Sequence, residues 1–275
     1  MDFIALSEAQ RQHFDTYGYI AIPQALDPHT VERLVEVGDR FMASAGPVHN
    51  YYANRYIDLL YDELLTELSV CSATVPLVLQ LLSPDIRLTR ANIIYKYPQP
   101  ASAAPIYPDG DGRSHRNWHR DLNNFSPDHP ICGTVCIRVG YCLSDFTESN
   151  SGVTLFVPGS HKLRQQLRFK KGELDPPHFV ELSLRAGDAY LFSTSTYHTP
   201  AVNFTKEPAK GLLVSYAYNW WAHRHPLPAE KTLESMDAIK AQLFGKEFHG
   251  ADVPLRKWGK AHGLAVDEPP MRLFV

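Results

Sequence analysis

The run Asn117-Trp118-His119-Arg120-Asp121-Leu122 sets an imidazole and a carboxylate two residues apart. Side chains alternate along an extended strand, so His119 and Asp121 project from one face while Arg120 points away. A chain with 13 histidines holds a His-x-Asp or so by chance, and the bland reading is a hydrogen-bonded surface pair. His198 sharpens it: in Ser195-Thr196-Tyr197-His198-Thr199-Pro200 it ends another predicted strand. Two histidines and a carboxylate on facing strands of a small barrel form the ligand set of non-haem Fe(II) oxygenases, which leaves open coordination positions on the metal. The same donors could hold Zn²⁺, with the open position activating water for hydrolysis. His119, Asp121 and His198 are therefore the candidate metal ligands and catalytic centre.

Positioning them requires strands, and the chain supplies them from Ile86 onward. Short apolar runs rich in Val, Ile, Thr and Tyr alternate with Gly, Pro, Asp and Asn, and predict strands near 86–97, 117–125, 133–143, 152–157, 178–184, 188–193 and 211–219. No helical pattern of any length lies between them. Many strands without interleaved helices argue for an antiparallel sandwich or barrel of jelly-roll type rather than a parallel α/β sheet.

The first eighty residues read as helices. Ser7 and Gln10 form a capping box for a helix to about Tyr17, and Gly18 ends it before the extended run Tyr19–Pro23. Asp27-Pro28 opens a second helix carrying Val31, Leu34, Val35 and Phe41, and a third runs from Ile57 to Leu68. A final amphipathic helix is predicted over about Ala229–Phe244. The Pro-, Gly- and Asp-rich stretch 98–116 reads as a surface excursion beside the His-x-Asp run. Without an internal repeat or linker, residues 1–275 are expected to form a single domain: a helical N-terminal region over 5–83, a jelly-roll core over 86–220, and a C-terminal helix and tail over 228–275.

The composition narrows the partners. The 275 residues carry a net charge of −3, with no block of like charge, which leaves out the electrostatic footprint of a nucleic-acid binder and points to a small molecule. Cys71, Cys132, Cys136 and Cys142 show no C-x2-C spacing and are read as reduced, small core or pocket-lining residues. No basic leader or bilayer-length apolar run is visible, so a cytoplasmic protein without a membrane partner is expected, as a monomer or homodimer.

The chain resembles the phytanoyl-CoA dioxygenase (PhyH) family. The resemblance rests on Ile93–Pro98, Trp118–Asp121, the block Ser151-Gly152-Val153-Thr154-Leu155-Phe156-Val157-Pro158-Gly159-Ser160-His161, Ala186-Gly187-Asp188, and His198 with Asn203 five residues on. It implies an all-β core with flanking helices, of the double-stranded β-helix (jelly-roll, cupin-like) type. It also implies Fe(II), 2-oxoglutarate as co-substrate, O2, and oxidation of a C–H bond with release of succinate and CO2. His119, Asp121 and His198 become the iron ligands by this likeness. A metabolite, with secondary metabolism as the setting, is the implied substrate class. Halogenating relatives have a small residue at the position of Asp121, so hydroxylation, desaturation or rearrangement is implied instead.

The chain departs from the family at the co-substrate. The arginine that usually holds the distal carboxylate, eleven residues after the second histidine, is replaced by Ala209. A carboxylate in a closed pocket needs a cation. Lys210 could serve if the preceding loop were one residue longer, since otherwise it faces away. Arg138 is the second candidate, on the face of 134–140 that it shares with Thr134 and Gly140, opposite the apolar odd-numbered residues. Lys96 is the third, as an assisting group. Lys96, Arg138, Lys210, Asn203 and Thr134 are thus the expected co-substrate contacts. His161 reads as a turn residue, and one of Asn123 and Asn124 is expected to face the cavity. The missing arginine keeps a different reading open, a non-catalytic or zinc-dependent metal-binding jelly-roll protein.

Overall fold

Ser7 accepts a hydrogen bond from the Gln10 amide at 3.2 Å while Gln10 Oε1 accepts from the Ser7 amide, closing the expected capping box of α1 (Glu8–Tyr17). Gly18, at φ +85°, ends this helix in a conformation that suits glycine and turns the chain into strand β1 (Tyr19–Ile22). Asp27 caps α2 (Pro28–Ser44), accepting from the Thr30 amide. The computed structural model describes residues 1–46, 48, 51–100, 117–121, 134–163, 165–168, 174–221 and 227–264. The excursion 101–116, Asn123, Asn124, Cys132 and residues 222–226 lie outside the described residues.

Beyond α2 come β2 (Tyr52–Tyr56), a 3₁₀ turn, α3 (Glu63–Leu68) and α4 (Val75–Leu81). The core strands are β3 (Ile86–Lys96), β4 (Cys136–Cys142), β5 (Thr154–Phe156), β6 (Val180–Glu181), β7 (Ala189–Ser193), β8 (His198–Pro200) and β9 (Ala209–Tyr218). Three short helices follow: α5 (Glu230–Glu234), α6 (Ala238–Leu243) and α7 (Pro254–Ala261). Among the described residues no helix is long and apolar enough to cross a membrane.

Two antiparallel sheets face each other, one ordered β1-β7-β4-β9-β3-β2 and a smaller one ordered β6-β5-β8, and among the described residues they do not close into a barrel. The pleat divides the large sheet's side chains between two cores. Ile137, Val139, Tyr141, Leu212, Val214 and Tyr216 pack outward under the helices, with Leu34 and Val78. Tyr190, Phe192, Leu213, Ala209 and Cys142 point inward against Leu155 and Phe156 of the small sheet. This is the expected all-β core with flanking helices, and the inner face is where the candidate chemistry gathers.

Several elements differ from expectation. The N-terminal region is not purely helical, because β1 and β2 form the two edges of the large sheet. In place of a strand over 117–125, the described residues there make a single bridge, His119 to His198. His198 opens β8 instead of ending a strand, since β7 stops at Ser193 and a turn intervenes. The third helix begins as a 3₁₀ turn at Leu59, and Asp62 then caps the short α3 by accepting from the Leu64 amide. The stretch 229–244 breaks into α5 and α6 because Asp237 accepts from the amides of Ile239 and Lys240 and starts a new helix there.

Candidate metal centre

His119 pairs with His198 as an antiparallel bridge alongside β8 of the small sheet. Each backbone amide donates to the other's carbonyl, at 3.0 and 2.9 Å, and the rings lie 4.4 Å apart. The Asp121 amide donates to Thr194 O at 3.1 Å, which carries the strand-like alternation two residues further. His119 Nε2 lies 3.9 Å from Asp121 Oδ1, and His198 Nε2 lies 3.7 Å from Asp121 Oδ2. One donor atom from each residue falls within 4.8 Å of the others, and this is the only such cluster of three potential ligands among the described residues.

The far side of each imidazole is already committed. His119 Nδ1 lies 2.8 Å from Asn117 O and His198 Nδ1 lies 2.9 Å from Thr196 O. A carbonyl can only accept, so each Nδ1 carries the proton and each Nε2 keeps its lone pair for a cation, as in histidine metal sites. Phe192 meets the His198 ring edge-on at 4.9 Å and Phe156 lies 6.4 Å away, so the buried histidine is held by aromatic walls. Donors about 2.1 Å from an ion stand roughly 3 to 3.5 Å apart, so small side-chain rotations would close the set. The residues present fit a divalent first-row cation.

The charges agree. Burial, together with the neighbouring His119, pushes the His198 pKa down to about 3, so the ring is neutral at physiological pH. Burial alone would raise the Asp121 carboxyl, but the surrounding positive groups outweigh it and hold it below the usual carboxylate range. With His198 neutral, the permanent cation in contact with this carboxylate is Arg138, whose Nε lies 3.2 Å from Asp121 Oδ2. Arg90 adds to the same field. It pairs in register with Ser215, the residue that faces Arg138 on the other side of β9, and so belongs to the inner face. Sequence reasoning passed over Arg90 because a bulge between Leu88 and Arg90 shifts the alternation of β3; its even spacing from Lys96 was the available signal.

The expected co-substrate cations separate. Lys210 lies on the outer face, where Nζ donates to Asp39 of α2 at 2.7 and 2.9 Å and sits 5.1 Å from the Tyr95 ring centroid. Its reach inward fails because the parity of β9 turns it away. Arg138 does face inward, between Phe192 and Ser215, but its guanidinium lies at the Asp121 carboxylate. Lys96 is buried and donates to the carbonyls of Gly152 and Val153, in a cavity lined also by Ile94, Thr154 and Tyr190. Its register partner on β9 is Ala209, the residue in place of the expected arginine.

Asn203 is buried and serves the backbone. Its Nδ2 donates to Lys96 O and Glu207 O, and its Oδ1 accepts from Thr205, pinning the β8–β9 connection to the end of β3. Thr134 donates to Ser193 Oγ at 3.1 Å just ahead of β4. His161 lies in a 3₁₀ turn, as expected. Cys71, Cys136 and Cys142 are free thiols, and burial pushes Cys136 up to about 12, which leaves it protonated and unsuited to a metal.

The phytanoyl-CoA dioxygenase (PhyH) family matches residues 14–211. Dioxygenase cnsJ of Penicillium expansum is 25% identical over 107 residues, spanning 39% of this chain and only 30% of its own length. HygX from Streptomyces hygroscopicus, with nickel and 2-oxoglutarate bound, superposes with a TM-score of 0.63 at 19% identity over 82% of this chain and 93% of its own. The epimerase SnoN, in complex with Fe3+, alpha-ketoglutarate and nogalamycin RO, gives 0.59 at 20% identity over 79% and 86%. These two structures share the fold.

Proposed function

The chain belongs to the phytanoyl-CoA dioxygenase family, and on that footing we propose that it is an Fe(II)- and 2-oxoglutarate-dependent oxygenase that oxidises a C–H bond of a small-molecule metabolite, releasing succinate and CO2. The observation that carries this reading is the convergence of His119 Nε2, His198 Nε2 and the Asp121 carboxylate, with both Nδ1 atoms already tied to carbonyls. Those three residues would hold the iron. When bound, iron with 2-oxoglutarate supplies the O2 chemistry that side chains lack.

The protein's own part is orientation, charge and exclusion of water. Thr196 O and Asn117 O fix the two imidazoles. Arg138 holds Asp121 ionised, so the carboxylate is ready as a ligand at neutral pH. Phe156, Phe192 and Tyr190 wall the inner side, and the Tyr190 hydroxyl is matched with Thr154 Oγ1 at 2.8 Å, which keeps a buried polar group satisfied. Lys96 would take the distal carboxylate of 2-oxoglutarate, because its chain runs beside Ala209 on the inner face. Structures of SnoN and HygX hold nogalamycin RO and hygromycin B respectively, which supports a small-molecule substrate here.

Anaerobic titration with Fe(II) and 2-oxoglutarate tests the reading. It predicts a visible charge-transfer band that needs both components, and succinate on admission of oxygen. Tight stoichiometric zinc with no succinate would favour metal-dependent hydrolysis. Metal and ligand binding without oxygen consumption would favour a binding protein.

A further inference from the structure

Arg138 sets a permanent cation against the carboxylate proposed as a metal ligand. It comes off the inner face of β4, its side chain only 13% exposed, with Nε 3.2 Å from Asp121 Oδ2. The contact is an ion pair but not an aligned hydrogen bond, and both atoms are buried with no hydrogen-bond partner among the described residues. Its place is fixed by the sheet, between Phe192 of β7 and Ser215 of β9. A buried guanidinium cannot shed its charge, since it stays protonated at any physiological pH.

The charge balance follows directly. With the site free of metal, Arg138 and Asp121 neutralise each other. A divalent cation held by Asp121 and the two histidine Nε2 lone pairs leaves Arg138 uncompensated and facing that cation across one carboxylate. An anion bound at the open positions removes the excess. We propose that Arg138 is a positioning residue that couples metal loading to anion binding. It competes with the cation for Asp121, so it weakens the metal while the site lacks an anion, and it favours the metal once a dianion such as 2-oxoglutarate is present. Linkage makes the effect reciprocal, so the metal must strengthen anion binding by the same factor. The inference rests on the proposed metal site, and on that site alone.

Mn²⁺ affinity, read by electron paramagnetic resonance at pH 8 without turnover, tests it in the full-length protein with and without saturating 2-oxoglutarate. In Arg138→Met, Mn²⁺ alone is expected to bind about tenfold more tightly than in the wild type, and the enhancement by 2-oxoglutarate to shrink about tenfold. Direct chelation leaves a residue of coupling. Arg138→Lys, which keeps the charge, is expected to keep the larger part of the wild-type coupling. A purely structural role would instead loosen the metal site. Weaker or unchanged Mn²⁺ binding in Arg138→Met, or undiminished enhancement, would overturn the proposal. Should Arg138→Met not fold, Arg138→Lys decides it, because coupling lost with the charge retained would assign the effect to packing. A wild type that binds no Mn²⁺ at all would overturn the metal site itself.

Discussion

Lys96 and Ala209 are register partners across β3 and β9, so the lysine side chain leaves its strand beside the methyl group of the other, and its ammonium ends on the carbonyls of Gly152 and Val153. The Cβ of Ala209 is small enough to leave the inner face open to the lysine chain, which an arginine at that position would crowd. In the proposed function, the charge expected from one strand would be delivered by its neighbour. Leaving a buried carboxylate without its cation costs on the order of 3–5 kcal/mol. Lys96→Met is accordingly expected to raise the KM for 2-oxoglutarate by roughly a hundredfold or more, with Mn²⁺ affinity nearly unchanged. Lys210→Ala removes only the outer pair with Asp39 and should leave the KM within about twofold, since partly exposed pairs contribute little. Steady-state kinetics on the two variants separate the assignments, and a large effect from Lys210 alone would reverse them.

Gly140 gives the inner wall its shape. A Cβ built there would run into the ring of Tyr190. Gly140→Ala must push that ring off Gly140 and away from Thr154, and overpacking of this kind costs about 1–3 kcal/mol. A fall in denaturant midpoint is expected. Unchanged stability would show that Tyr190 has another place to go.

The sequence carried the triad because two of its members are neighbours on a strand-like segment and the third stands in a similar segment. Parity also placed Arg138 correctly, since the odd-numbered residues Val135, Ile137, Val139 and Tyr141 had to be buried. What it could not show was depth along a strand. Arg138 and Lys96 both face inward, yet one ends at the metal carboxylate and the other beside Gly152, a distinction set by strand order and register. For Lys210 the sequence left both directions open, and the pairing of β9 with β3 and β4 turns it outward. The edge strand β1 coincides with the extended run expected at Tyr19–Pro23, whereas β2 was hidden because a five-residue strand next to strong helices carries little periodic signal.

His161 makes stability depend on pH. Its Nε2 donates to Asp15 O at 3.2 Å, its Nδ1 is buried without a hydrogen bond, and its ring covers Gly18. Burial pushes its pKa below the ordinary 6.5. The unfolded chain then binds the extra proton first, so stability is full above about pH 6.5 and is lost as pH falls through the lowered folded value. Melting temperatures from pH 8 to pH 5 should decline in the wild type and less steeply in His161→Gln. Parallel profiles would assign the decline to other groups.

On the proposed reading, Asp121 would decide both whether the metal is held and what the oxidant can transfer. His119→Ala, Asp121→Ala and His198→Ala should each abolish Mn²⁺ binding and turnover, because a set of three protein ligands has no spare donor and the described residues offer no second cluster. The carboxylate also occupies the coordination position that a halide would need. Turnover in chloride should thus give oxygenated or desaturated product with no chlorine, as read by mass spectrometry. Asp121→Gly discriminates further: it opens that position while leaving Arg138 without its anion, so chloride should bind beside the guanidinium and partly restore Mn²⁺ affinity. An Asp121→Ala protein with full activity, or chlorinated product from the wild type, would remove Asp121 from the ligand set.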